Sequence, residues 1–241
     1  RDKLRTFTHA AKAAVCAGCT NRCKLTVNIF NGSERYISGN QCAKGAGETA
    51  NEGDLGPMPN LYQFKRDKLG SLKPGDGERG VIGIPLALGM YELAPLWHGI
   101  FEELGFSVVF SGMSSREIYS KGQFSIPSDT ACYPAKLMHG HIETLIERGV
   151  DAIFYPCLTY NVNERTGTNH YNCPVVAYYP ELLNANMESL KNVRFLFPYL
   201  NINNRRELSK ELRLLFRDQL GINITRQQAA RAVSAGFYAV S

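Results

Sequence analysis

From Val81 onward the chain alternates short apolar runs with longer stretches of helical periodicity, and few folds accept that order. The runs are VIGIPL (81–86), FSVVFS (106–111), AIFY (152–155), PVVAYY (174–179) and VRFLFPYL (193–200). Between them lie YELAPLWHGIFEELG, SREIYSKG, the segment after Pro134 and PELLNANMESL, and two further helices are expected from Arg205 to the end. Strands separated by helices, with short connections, define a parallel sheet covered on both faces. The expected fold is therefore α/β, an open, mostly parallel Rossmann-like or flavodoxin-like sheet over residues 80–241. Residues 57–79 precede it as a helix and linker, and residues 1–56 form a small Cys-rich module.

The most informative stretch runs from Pro127 to Cys157. Cys132 stands just before Pro134, which suits a first helical turn because its φ is fixed and its missing N–H is not needed there. Met138, Ile142, Leu145 and Ile146 then form the stripe of a core-facing helix ended by Gly149. The strand that follows delivers Cys157 to its carboxyl end, the edge where open α/β sheets bind ligands. A thiolate at a helix N-terminus is favoured by the helix dipole, so Cys132 is placed for reactivity or metal binding. Burial as structural thiols is the competing possibility. On the same helix, His139 and His141 are expected on a solvated face and Lys136 at the surface, whereas Trp97 is expected in the core. Cys173 precedes the run PVVAYY, which as a strand would carry it to the opposite edge from Cys157. It joins the other two only if the long loop after Cys157 bends it back or the next strand runs antiparallel.

Cys16, Cys19, Cys23 and Cys42 follow a C-x2-C-x3-C-x18-C spacing. Between the last two, KLTVNIF and RYIS flank Asn31-Gly32, the pattern of a β-hairpin that returns Cys42 to the first three. Four thiolates around one point suit zinc or an iron–sulfur cluster. Residues 1–15 are expected as a short helix or tail, and the Gly-rich and Pro-rich segment over 43–60 as a loop.

Composition narrows the function classes. Net charge is +5, but Lys and Arg are scattered without interleaved aromatics, which argues against a nucleic-acid partner. No run reaches membrane-spanning length and the first residues lack an apolar signal core, so a cytoplasmic location is expected. Seven cysteines then point to metal or redox chemistry over disulfides. The letters G-x-G-x-x-G at Gly75–Gly80 precede a strand instead of following one, and no phosphate-loop motif exists, so ATP hydrolysis is not expected. The start at Arg1 and the helical end suggest a piece of a longer protein.

The strings PSDTACYPAKLMHGHI and GVDAIFYPC resemble the domain of unknown function DUF2229 of 2-hydroxyacyl-CoA dehydratase activase-like proteins, related to the dehydratase subunits that hold a 4Fe-4S cluster. The likeness runs roughly from Cys16 to Glu181. It implies cluster ligands at Cys132 and Cys157, while the third ligand of the dehydratase subunits comes from a later domain, so that Cys173 is a candidate without support from the resemblance; it favours a 4Fe-4S cluster over zinc at Cys16, Cys19, Cys23 and Cys42. It further implies an ATP-dependent activase as partner and an acyl-CoA as substrate, the chain passing low-potential electrons. A module with structural zinc that docks an activase is the alternative, and a homo-oligomer is left open.

Overall fold

The computed structural model describes residues 6–19, 21–47 and 60–240, in two compact units, Arg1–Leu61 and Tyr62–Ser241. In the first, β1 (His9–Val15), β2 (Lys24–Phe30) and β3 (Glu34–Ser38) form an antiparallel sheet in that order. The expected hairpin is β2–β3, with Asn31 and Gly32 both at positive φ in its turn. The short helix or tail expected over residues 1–15 is corrected. Residues 9–15 are a strand, because HAAKAAV pairs along its whole length with β2 from His9↔Phe30 to Val15↔Lys24, and that ladder overrides the helix preference of alanine. Residues 1–5 lie outside the described residues. Within the loop expected over 43–60, Ala43–Ala46 makes a single helical turn, α1, and residues 48–59 lie outside the described residues. Among the described residues of this unit, Leu25 is the one buried apolar side chain.

The second unit begins with α2 (Leu61–Ser71), counted from the boundary, and is built on β4 (Val81–Ile84), β5 (Ser107–Phe110), β6 (Ala152–Phe154) and β7 (Arg194–Leu196). All pairings are parallel and the order is β5-β4-β6-β7. In sequence terms that is 2-1-3-4, the flavodoxin-like order, with the strand direction of travel reversing between β4 and β6. The helices are α3 (Gly89–Glu103), α4 (Arg116–Gly122), α5 (Tyr133–Glu147), α6 (Pro174–Asn186), α7 (Arg205–Leu215) and α8 (Arg226–Val240). Right-handed crossovers put α3 on one face and α5 and α6 on the other. Accordingly α3 packs with α8, and α5 with α4 and α6. Trp97 is fully buried, as expected, in edge-on contact with Phe154, which Phe101 also meets edge-on, each at 4.9 Å between centroids.

The run PVVAYY, expected as a strand, is the first half of α6. Its β-branched and aromatic residues and Pro180 read as strand followed by helix start, yet β6 and β7 are parallel neighbours and need a crossover helix between them. Tertiary demand wins over local propensity, and Pro180 sits inside the helix with Ala177, Tyr179 and Leu183 on its buried side.

His139 and His141 are likewise corrected: both are fully buried. The sheet-facing stripe of α5 is as expected, but its opposite side is covered by α4 at very close range. A Cβ added at Gly140 would stand 1.7 Å from the Ile118 carbonyl oxygen, and one at Gly122 would stand 2.2 Å from the Gly140 nitrogen. Two backbones meet there with no room for a methyl group. Gly140→Ala is expected to destabilise the domain by about 3 kcal/mol, lowering Tm by about 6–12 °C, since relief requires moving backbone. Gly70→Ala, with nothing within 4 Å of the new Cβ, is the control expected to leave Tm unchanged or slightly raised. Equal melting of both variants would contradict the crossing.

Candidate functional site

The topological switch point lies at the carboxyl ends of β4 and β6. Beyond β4 the chain enters α3 through Leu88, whose φ of 50° and ψ of −140° a branched side chain rarely adopts. Beyond β6, Cys157 continues the sheet for one more residue by a parallel bridge to Tyr199. Its amide donates to the Pro198 carbonyl at 2.9 Å and its carbonyl accepts from Leu200 at 3.1 Å. Cys157 is buried, and burial followed by the charge of Glu181 pushes its thiol up to about 11.

Cys132 and Cys173 occupy equivalent positions, each the N-cap residue of a helix that begins with proline at its first or second position. Neither helix has a side-chain cap. In α5 Pro134 has no amide hydrogen and the Ala135 amide donates to the Cys132 carbonyl at 3.0 Å, which leaves the Tyr133 amide at that start, and in α6 the proline leaves the amides of Val175 and Val176. Both thiols are exposed. The placement of Cys173 at the opposite edge is corrected. Because α6 replaces the expected strand, its N-terminus starts at the carboxyl edge, and the connecting segment folds back on itself. Asn161 donates to His170 at 2.9 Å, Asn172 donates to Thr159 at 2.9 Å, and Tyr160 pairs with Tyr171 in an antiparallel bridge. The Asn172 side chain closes the excursion on the Leu158 carbonyl at 2.8 Å. Cys173 thereby returns to the level of Cys157. The Cys-Pro pair at 173–174 was the sequence signal for this helix start, of the same kind as that at Cys132.

Tyrosines and one histidine fill the space between these cysteines. The Tyr155 hydroxyl is buried without a hydrogen-bond partner, and its pKa is raised well above the usual value by burial, then by Cys157 and Tyr179. Tyr179 is pushed up to about 12 by burial, then by Cys132. Its hydroxyl stands 3.0 Å from His139 Nε2. Ser125 donates its proton to the Gly122 carbonyl and stands 2.8 Å from His139 Nδ1. That leaves the histidine proton on Nδ1 and makes Tyr179 the donor to Nε2. His141 takes the opposite tautomer. Ser111 accepts from the Leu86 amide and keeps its own proton for Nδ1 at 2.7 Å, so Nε2–H donates to Ser114 at 2.9 Å. Lys136 is half-buried and donates to the Asp129 carbonyl at 2.8 Å. At the rim Tyr199 donates to Glu181 at 2.7 Å.

In the first unit, the Cys16 amide donates to the Cys23 carbonyl at 2.9 Å, one step beyond the Val15–Lys24 pair. Cys19 lies in the turn between them, and the Gly18 amide points at the Cys16 sulfur at 3.4 Å. Cys42 is the N-cap of α1, and a Cβ on Gly18 would stand 3.7 Å from Lys44 Cβ, so α1 lies over that turn. All four cysteines belong to one end of the small sheet. Among the described residues, no three Cys, His, Asp or Glu side chains converge closely enough to hold a metal ion in either unit. The donor chemistry nevertheless suits a soft metal group at the larger unit's edge: three thiols, two uncapped helix starts and the unpartnered Tyr155 hydroxyl. A cavity of about 780 Å3 opens at the amino edge of the same sheet, lined among others by Arg79, Asp151 and Arg194 and by none of Cys132, Cys157 and Cys173.

An α/β domain with three cysteines brought to the switch-point edge defines the class. The profile of the CoA enzyme activase uncharacterised domain (DUF2229) matches residues 81–241, and the chain belongs to that family. Comparison with curated proteins and with solved structures gives no match. Among the described residues, no helix is long and apolar enough to cross a membrane.

Burial lowers both His139 and His141 to about 4. The folded protein keeps them neutral down to that pH, whereas in the unfolded chain they protonate near the ordinary value of about 6.5. Their contribution to stability is therefore complete above about pH 6.5 and is lost as pH falls from there towards 4. Urea unfolding in steps from pH 7 to 5 is expected to show a falling unfolding free energy, approaching a two-proton slope. Nitrogen-15 NMR of the imidazoles at pH 7 is expected to find His139 as the Nδ1–H form and His141 as the Nε2–H form. A flat profile, or identical tautomers, would contradict these networks.

Proposed function

We propose that the carboxyl edge of the parallel sheet carries a 4Fe-4S cluster on Cys132, Cys157 and Cys173, and that the domain relays electrons within a CoA enzyme activase system. The observation that carries this reading is the delivery of three cysteines to one edge by three separate elements, two helix starts and one strand end. Cys132 and Cys173 are exposed and would have to turn towards Cys157 to share a cluster, whose negative charge would be favoured by the positive ends of the α5 and α6 helix dipoles. When bound, such a group supplies one-electron transfer at low potential. The Tyr155 hydroxyl, buried without a partner, would be a donor for a cluster or thiolate sulfur bound there. An ATP-hydrolysing activase is the electron source in this reading, and an acyl-CoA is the acceptor.

The cysteines of the first unit support a second metal centre of a different kind. A unit whose described residues include one buried apolar side chain has too little core to be stable by burial, which favours a folding role for metal at Cys16, Cys19, Cys23 and Cys42. Zinc or a cluster there holds β1, β2 and α1 together.

Anaerobic purification followed by iron, sulfide and zinc analysis tests both. Cys132→Ala, Cys157→Ala and Cys173→Ala are each expected to lose one cluster's iron and sulfide in equal amounts and to leave Tm within a few degrees. Cys19→Ala is expected to leave that cluster in place and to unfold the first unit, read as increased proteolysis before residue 61. Full iron in all three edge variants would sink the cluster assignment.

A further inference from the structure

The C-terminal helices α7 and α8 lie antiparallel, as two contacts fix. Arg213 Nε donates to the Ile224 carbonyl at 3.1 Å near one end, and the Arg205 guanidinium lies 4.2 Å over the Phe237 ring near the other. Between them opens a groove of about 670 Å3, lined by Arg205, Arg206, Lys210, Arg213, Arg217 and Arg226 without one acidic residue. Its floor is apolar, made by Leu214, Ile224, Ala230 and Val233. Those six cations outweigh the whole net charge, since the chain's formal +5 would be −1 without them. Six of the chain's 27 Lys and Arg residues are thus gathered by the fold at one groove.

Some of these cations are engaged: Lys210 stands 3.8 Å from Glu211, and Arg217 makes a two-pronged pair with Asp218. Arg206 and Arg226 are exposed and have no hydrogen-bond or ion-pair partner among the described residues. Guanidinium forks match phosphate oxygens two at a time, and the volume is that of a small-ligand site. No aromatic ring lines the groove, which removes the stacking platform that a nucleic-acid strand needs. We infer that this groove binds a nucleotide carrying two or more phosphates, the phosphates on Arg206 and Arg226 and the organic body over the apolar floor. With no carboxylate in the lining, the site binds and does not hydrolyse.

Titration calorimetry of this chain with ADP in the presence of EDTA tests the assignment. ADP is expected to bind one per chain, AMP about tenfold more weakly, and pyrophosphate to compete with ADP at lower affinity because it leaves the floor uncovered. Arg206→Ala and Arg226→Ala are each expected to weaken ADP about tenfold, as loss of one charge-assisted contact does. The double variant is expected to abolish binding, and Arg116→Ala, on α4, to change nothing. Both groove residues are solvent-exposed, and unchanged Tm confirms that the variants fold. No ADP binding at millimolar concentration, binding that survives the double variant, pyrophosphate binding as tightly as ADP, or an RNA oligomer that binds and is not displaced by ADP would each overturn it.

Discussion

The approach of α4 to α5 through Gly122 and Gly140 is the contact on which the candidate site at the larger unit's carboxyl edge depends. Because no Cβ stands between the two backbones, α4 seals the side of α5 that faces away from the sheet. That seal buries His139 and His141, and their serine partners come from α4's flanks and the loop after β5. Helix α5 is held from both sides, and its N-terminal residue, Cys132, is aimed by packing rather than by a loop. A second crossing of the same type, between Gly99 and Gly236, ties α8 to α3: a Cβ on Gly236 would stand 2.5 Å from the Leu96 carbonyl.

The sheet was legible because its strands are short, apolar and separated by helical periodicity, features that survive any detail of packing. The helix after Cys132 was legible for the same reason, down to its buried stripe. What failed was whatever tertiary contact decides. The α6 segment carries strand-forming residues that a parallel crossover turns into helix, and β1 carries alanines that a neighbouring strand turns into sheet. Two histidines beside a glycine look solvated in sequence, where nothing shows that the glycine marks a backbone crossing.

The site was partly legible. Cys132 and Cys157 were placed by a helix start and a strand end, both local signals. Cys173 was not, because its position depends on the identity of the segment after it. The tyrosines around these cysteines left no signal, since Tyr155 and Tyr179 read only as apolar positions until the fold brings their hydroxyls between the thiols. The arginines of the last two helices were read as scattered charge, because helical spacing along two segments does not show that both present their charge to one groove.

That the described residues of the first unit bury a single apolar side chain has a calorimetric meaning. The heat-capacity change on unfolding comes mainly from newly wetted apolar surface, and Leu25 alone among the described residues of that unit contributes a buried side chain of this kind. On those residues alone, its stability curve is expected to be shallow in temperature, without a sharp heat transition. A thermogram of the whole chain is expected to report mainly the parallel-sheet unit.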